Sequence, residues 1–304
     1  MSLVRTVLGD VDSALLGVVL AHEHLIIDSP VVARRWPHIN LPSVDEAIAE
    51  ARQISEVAVS TLVDAMPVGG GGDPVRLAAI SRASGLHIVA ATGMHIAKYY
   101  EDDIAILEAP VQQLSARFEH DVVEGRDGAR AGVLKVATAG ESPSAQEGRL
   151  FEAAAITHLT TGVPILTHCE DGLGGSNQVE LLGRYGVPPD RVAISHVDKV
   201  ADVSYHQDLA ETGVFLCYDQ GLRAPMQTVQ LVAEMVALGH GSRLLIGTDG
   251  ARRTLWSTLG GDPGLAWIHS GFRRLLSDGG LADSHLDQLF VSNPARWLTF
   301  SVKG

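Results

Sequence analysis

Short apolar runs recur along the chain at regular distances, each closed by turn residues and followed by a stretch with apolar residues at helical spacing. The runs are GVVLAH (17–22), STLVDA (60–65), HIVAAT (87–92), GVLKVA (132–137), VPILTH (163–168), RVAISH (191–196), GVFLCY (213–218) and RLLIGTD (243–249). Near-continuous apolar runs of this length predict strands buried on both faces, as in a parallel sheet covered by helices. Helices fit between them. Ser43, Val44, Asp45 and Glu46 read as a capping box, and Asp73 followed by Pro74 supplies an N-cap with proline at the first helical position. SAQEGRLFEAAAITHLTTG (144–162) and PMQTVQLVAEMVALG (225–239) carry helical periodicity and a glycine stop.

Eight such alternations in 304 residues predict an α/β chain of the (β/α)8 TIM-barrel class. The expectation is a single domain over 1–304 with a short N-terminal segment and a C-terminal helical extension across 262–300. A doubly wound open sheet is the rival arrangement. It would normally place a glycine-rich phosphate turn after its first strand, and AHEHLIID (21–28) offers none. The run Gly69 to Gly72 reads as a flexible loop tip after the second strand.

In such a barrel the chemistry lies at the carboxyl ends of the strands. In order, those ends hold His22 and His24 (first), Lys135 (fourth), His168 (fifth), His196 (sixth) and Asp249 (eighth). Residues two apart in a strand point the same way, so His22 and His24 would stand together about 7 Å apart at the Cα level. Any one histidine has an ordinary explanation in a core, and Asp249 could be a helix cap. Six metal-competent positions converging on one mouth argue for a site. Lys135 is the informative member, because its neighbours in GVLKVAT are apolar. Burial lowers a lysine pKa, and a neutral amine can take up CO2 to become a carbamate, an anionic ligand with two oxygens. Four histidines, one aspartate and such a bridge would hold two divalent cations about 3.5–4 Å apart, sharing a hydroxide. The ligand types suit Zn2+, and Mn2+, Co2+ or Fe2+ are compatible with them.

Composition narrows the partners. Apolar residues make up 46% and charged residues 19%, enough for a well-filled core. A net charge of −13 argues against nucleic acid and anionic membrane surfaces and leaves a small-molecule substrate. No apolar stretch reaches the ~18 residues a membrane span needs, and MSLVRTVLGD lacks the apolar core of a signal peptide, so the expected location is cytoplasmic. Cys169 and Cys217 lie inside strand-like runs and read as buried thiols rather than a disulfide.

AHEH (21–24), RAGVLKVAT (130–138), TGVPILTHCE (161–170), VPPDRVAISHVDK (187–199), IGTDG (246–250) and NPARWL (293–298) together resemble the amidohydrolase superfamily, in its phosphotriesterase-like branch. The resemblance implies that His22, His24 and Asp249 hold the more buried metal, that His168 and His196 hold the more exposed one, and that carboxylated Lys135 bridges them. It also implies a homodimer as the assembly such barrels often adopt. Deaminase-like mononuclear barrels share the histidines and the aspartate but not the bridging lysine.

The branch includes organophosphate triesterases, lactonases and carboxylesterases, so membership does not fix the substrate. In ATGMHIAKYY (91–100), His95 stands where triesterases carry tryptophan and many acyl-homoserine lactonases carry tyrosine. In CYDQGLR (217–223), Gln220 stands where those lactonases show arginine after aspartate. Arg223, Arg252 and Arg253 fall in the loops after the seventh and eighth strands, where barrels commonly build phosphate sites. GTDGARRTLWSTLGGDPGLAWI (247–268) is similar to relatives that hydrolyse phosphorylated sugar lactones. The expected activity is therefore that of a binuclear lactonase or carboxylic-ester hydrolase acting on a sugar lactone or phosphorylated lactone. A metal-bridging hydroxide would attack the carbonyl, and Asp249 would carry the proton to the leaving alkoxide. An organophosphate triesterase (aryldialkylphosphatase-like) is the alternative. A catalytically weak ligand-binding barrel would be favoured only by a missing metal ligand, and none is missing.

Overall fold

The computed structural model describes residues 2–300. A hairpin of two antiparallel strands, β1 (Leu3–Thr6) and β2 (Gly9–Asp12), precedes the main sheet. Eight strands then follow in order: β3 (Val18–Glu23), β4 (Val59–Asp64), β5 (His87–Gly93), β6 (Ala131–Thr138), β7 (Ile165–Cys169), β8 (Val192–Ser195), β9 (Phe215–Tyr218) and β10 (Leu244–Ile246). Each pairs in parallel with the next, and helices fill the crossovers. All eight apolar runs are strands of this (β/α)8 barrel. The eighth is shorter than the run suggests, because Gly247, Thr248 and Asp249 leave the ladder. The amides of Thr248 and Asp249 instead donate to the carbonyl of His22 at 3.1 and 2.9 Å, joining β10 to β3 at their carboxyl ends. Gly247 lies where a Cβ would meet His22 at 2.8 Å, so only glycine permits the close approach.

The period of two sorts each strand between two cores. Val19, Val63, Val89, Val133, Leu166, Ala193, Phe215 and Leu245 fill the barrel interior. Leu20, Leu62, Ile88, Leu134, Ile165, Ile194, Leu216 and Leu244 alternate with them and meet the helices. Val4 of the hairpin, Leu16, Trp297 and Leu298 join the interior group, and Leu16 places this plug at the amino end of β3. Cys169 and Cys217 are free, buried thiols.

Helix starts follow the expected side chains. Asp73 Oδ1 accepts from Val75 and Arg76 amides at 3.0 and 3.2 Å, and Ser144 with Glu147 forms a reciprocal capping box. At Ser43 only half of the expected box forms. Ser43 Oγ accepts from the Glu46 amide at 3.2 Å, while the Glu46 carboxylate faces Arg253. The C-terminal extension is helical at Gly271–Asp278, Asp283–Asp287 and Asn293–Leu298. Among the described residues no helix is long and apolar enough to cross a membrane.

The glycine run is not a flexible tip. Gly70 and Gly71 are buried, the Gly70 and Gly72 amides donate to Pro67 O at 3.1 and 3.2 Å, and Gly71 O accepts from the Asp28 amide at 2.9 Å. A Cβ on Gly72 would sit 1.9 Å from Met66 O, so the run is a packed turn that only glycine fits.

Candidate metal centre

The barrel brings the six expected ligands together. His22 and His24 leave β3 with their rings 5.3 Å apart, and Glu23 between them turns the other way. Its buried carboxylate accepts from the Thr248 amide at 2.8 Å and from Thr248 Oγ1. The tripeptide therefore offers two imidazoles on one side and fastens β10 with the carboxylate on the other. His24 Nε2 is 3.2 Å and His22 Nε2 is 3.9 Å from Asp249 Oδ1, and Lys135 Nζ is 3.2 Å from His22 Nε2. His196 joins this group with its ring 5.0 Å from that of His22, and His196 Nε2 lies 2.7 Å from His168 Nδ1.

Two ligand positions are held in a backbone region unusual for residues with a side chain. His196 has φ of 68° and Asp249 has φ of 46°. Conformations of this kind cost on the order of 1–3 kcal/mol each and persist where the surroundings over-determine them. Here the His196 amide donates to Asp219 Oδ2 at 3.2 Å, and the Asp249 amide donates to His22 O at 2.9 Å.

Carboxylates behind the histidines set their tautomers. Asp219 is fully buried and accepts from His22 Nδ1 at 3.0 Å and His196 Nδ1 at 2.8 Å, while Glu170 Oε2 accepts from His168 Nε2 at 2.7 Å. With protons assigned to those outer nitrogens, His196 Nε2 and His168 Nδ1 face each other across 2.7 Å with lone pairs only, an arrangement that a cation relieves. In the other group the spacing agrees: ligands about 2.1 Å from a tetrahedral metal lie about 3.4 Å from one another, and His24 Nε2 and His22 Nε2 stand 3.2 and 3.9 Å from Asp249 Oδ1. His22, His24 and Asp249 offer donors that all lie within 4.8 Å of one another. Cys217 falls in a second such group with His22 and Asp219, but burial pushes its thiol well above the usual range and keeps it protonated. The residues present thus fit a divalent cation.

The electrostatics agree with that chemistry. Burial pushes Lys135 down to about 8, against the pull of Asp249 and Asp219, so its amine is accessible in the neutral form. Burial likewise lowers His22 to about 3, helped by Lys135, and holds His168 well below the ordinary imidazole range. For Asp249 burial acts upward, but Arg223, His196 and His24 outweigh it and hold the carboxyl well below the usual range.

A cavity of about 240 Å3 opens onto these ligands. His95 and Gln220 line it: His95 Nδ1 accepts from the Ile96 amide at 2.8 Å, and Gln220 Nε2 donates to Asp219 Oδ1 at 2.7 Å. The three arginines divide. Arg223 lines the cavity but is engaged, donating to Thr248 O at 3.1 Å and to Asp249 O and pairing with Asp249 Oδ2 at 3.2 Å. Arg253 does not line it; its guanidinium turns to Asn40 O at 3.2 Å and Glu46 Oε2 at 3.8 Å. Arg252 stands exposed at the rim, and its guanidinium has no hydrogen-bond or ion-pair partner among the described residues.

Sequence reasoning missed several members. Asp219 ends the apolar run FLCY, and an acidic residue at that edge was the available signal. Glu170 follows His168 by two residues and also holds Lys98 Nζ at 2.5 Å. Lys98 lies over the rings of Trp36 and Tyr99 at 5.8 and 5.4 Å, a wall built from two loops whose sequences carry no periodic mark.

The phosphotriesterase family matches residues 2–298, and the chain belongs to it. It is accordingly an enzyme, a metal-dependent hydrolase of that family. A protein of Mycoplasmopsis synoviae named phospho-furanose lactonase is 29% identical over 98% of this chain and 92% of that one. An aryldialkylphosphatase of Saccharolobus solfataricus is 28% identical over 82% of this chain and 81% of its own. The crystal structure of an amidohydrolase from Mycoplasma synoviae superposes with a TM-score of 0.94 at 26% identity, covering 99% of this chain and 92% of that one.

Proposed function

We propose that the protein is a binuclear metal-dependent lactonase whose substrate carries an anionic group, of which a phosphorylated sugar lactone is the leading example. The observation that carries the reading is Arg252. In a chain of net charge −13 it is a cation at the cavity rim with no protein partner among the described residues, whereas Arg223 and Lys98 are each committed to a carboxylate. A relative named phospho-furanose lactonase supports the same substrate class.

His22, His24 and Asp249 would hold one cation, His168 and His196 the other, and Lys135, after its neutral amine adds CO2 and loses a proton, would bridge them as a carbamate. When bound, the cations supply a water acidic enough to attack at neutral pH and polarise the lactone carbonyl. Asp249, kept ionised by Arg223, takes the proton of the attacking water and delivers it to the ring oxygen as the acyl C–O bond breaks, giving a hydroxy acid. Asp219 and Glu170 keep the imidazole lone pairs turned inward throughout. Arg252 binds the remote anionic group and so orients the ring over Asp249.

The test is the metal-loaded protein assayed on neutral lactones, phosphorylated lactones, aryl esters and neutral phosphotriesters. Phosphorylated lactones should give the highest kcat/KM, and Arg252→Met should lower it about 10- to 100-fold on them, as loss of a charge-assisted bond of about 1.5–3 kcal/mol requires. Neutral lactones should be unaffected. A preference for long-chain acyl-homoserine lactones would overturn the anionic-substrate reading, and activity on phosphotriesters alone would make the protein a triesterase.

A further inference from the structure

The helix Val44–Glu56 carries Glu46, Glu50 and Gln53 along one stripe that ends at the Val57 carbonyl, and every member of the stripe is bonded to the segment after β10. Glu46 faces Arg253 at 3.8 Å, Gln53 Oε1 accepts from Ser257 Oγ, and Val57 O accepts from His269 Nδ1 at 2.7 Å. Glu50 is the centre of the stripe. Its carboxylate is fully buried and has no cationic partner among the described residues. It accepts from the Thr258 amide at 3.1 Å, Thr258 Oγ1 at 2.8 Å and the Leu265 amide at 2.9 Å, and Ser257 Oγ lies 3.3 Å away. A carboxylate without a counter-charge is costly to bury unless such donors satisfy it, so the loop and the helix depend on each other.

The bonds inside the loop carry this anchorage to the cavity. The Gly264 amide donates to Leu255 O at 3.1 Å, the Leu255 amide to Arg252 O at 2.9 Å, and Trp256 Nε1 to Gly250 O at 2.7 Å. We infer that Glu50 is a positioning residue for substrate selectivity: it fixes residues 250–265 so that Arg252 stands at the cavity rim. This rests on the reading of Arg252 as the contact for an anionic group. Glu50 touches neither the cavity nor a candidate metal ligand.

Glu50→Gln keeps the size of the side chain but sets an NH2 group among N–H donors. In the metal-loaded enzyme it should raise KM for a phosphorylated lactone about tenfold, leave kcat within about twofold, and leave a neutral lactone unchanged. In an Arg252→Met background the same substitution should add nothing, because the two act through one contact. Hydrogen exchange of the Thr258 and Leu265 amides should accelerate while the amides of β6 keep their protection. Thr258→Val, which removes one donor and retains the shape, should show a smaller version of each change and serves if Glu50→Gln does not fold. Equal losses on charged and neutral lactones, additive losses with Arg252→Met, or unaltered exchange would each overturn the inference. An unmodified enzyme indifferent to substrate charge would overturn the anionic-substrate reading and with it the selectivity role, and the exchange data, which need no substrate, would then show separately whether the clamp exists.

Discussion

Arg223, in the loop after β9, reaches the carboxylate of Asp249 beyond β10, with Nη2 3.2 Å from Oδ2. The pair joins two loops that the sequence separates by a whole helix, and it commits Arg223 to the carboxylate of Asp249 instead of leaving it free for substrate charge. Arg223→Met should therefore lower kcat about 10- to 100-fold on neutral and phosphorylated lactones alike, the loss expected for one charge-assisted bond. Selective loss on the phosphorylated substrate would return Arg223 to the binding role the sequence pattern proposes.

Lys135 is fully buried, and burial lowers its pKa to about 8, so CO2 has a neutral amine to add to near neutral pH. Reconstitution with Zn2+ in bicarbonate should approach two metal equivalents, and intact mass under non-acidic conditions should show the added CO2. Lys135→Ala should fall well below two equivalents. Full retention of both metals in that variant would remove the bridge from the centre.

Gly93 packs its α-carbon against the strand that bears Lys135. It has φ of +100°, and a Cβ there would lie 2.1 Å from Lys135 O. Gly93→Ala should cost more than about 2 kcal/mol, from backbone strain together with displacement of β6. Gly85→Ala is the control, since its φ of +79° meets open space and only the left-handed penalty of about 1–2 kcal/mol applies. Denaturant midpoints for the two variants decide the matter, and similar losses would show that contact with Lys135 O adds nothing.

A fourth arrangement gives a pH signature away from the candidate metal centre. Asp10 accepts from Arg5 Nε and Nη2 at 2.8 and 2.9 Å and from Arg130 Nη2 at 3.0 Å. The Arg5 hydrogen bond, with the charges of Arg5 and Arg130, outweighs burial and holds the carboxyl below its ordinary value. In acid the unfolded chain then binds the proton more readily than the folded one, so this stabilisation is complete above about pH 4 and disappears as pH falls through the lowered folded value. Asp10→Asn should unfold at lower denaturant than the unmodified protein at pH 7, and the difference should narrow below about pH 4. A difference independent of pH would mean that packing, and not the charge pair, accounts for it.

The features legible in the sequence are those in which one residue's position decides its environment. Strands buried on both faces write themselves as apolar runs; His168 follows from where its run ends, and Lys135 stands out as a charge inside one. Asp219 was passed over although it closes the run FLCY, because it acts through His22 and His196, and a carboxylate behind a ligand obeys no spacing rule. The N-terminal hairpin escaped notice because its strands are four residues each and one of them, GDVD, is mostly polar. The sequence leaves the three arginines undivided: adjacent in the chain, Arg252 and Arg253 send their guanidinium groups to the cavity rim and to the helix Val44–Glu56, a difference that only the tertiary structure makes.

The joining of β3 to β10 through the carbonyl of His22 also bears on how the protein is made. His22 and His24 belong to the first strand of the barrel and Asp249 follows the eighth, so all the strands between must be made before the full donor set can exist. Contacts of such sequence separation are assembled late and slowly. A nascent or truncated polypeptide ending before the eighth strand would hold the histidines without their aspartate, so the complete donor set is a property that only a finished barrel has.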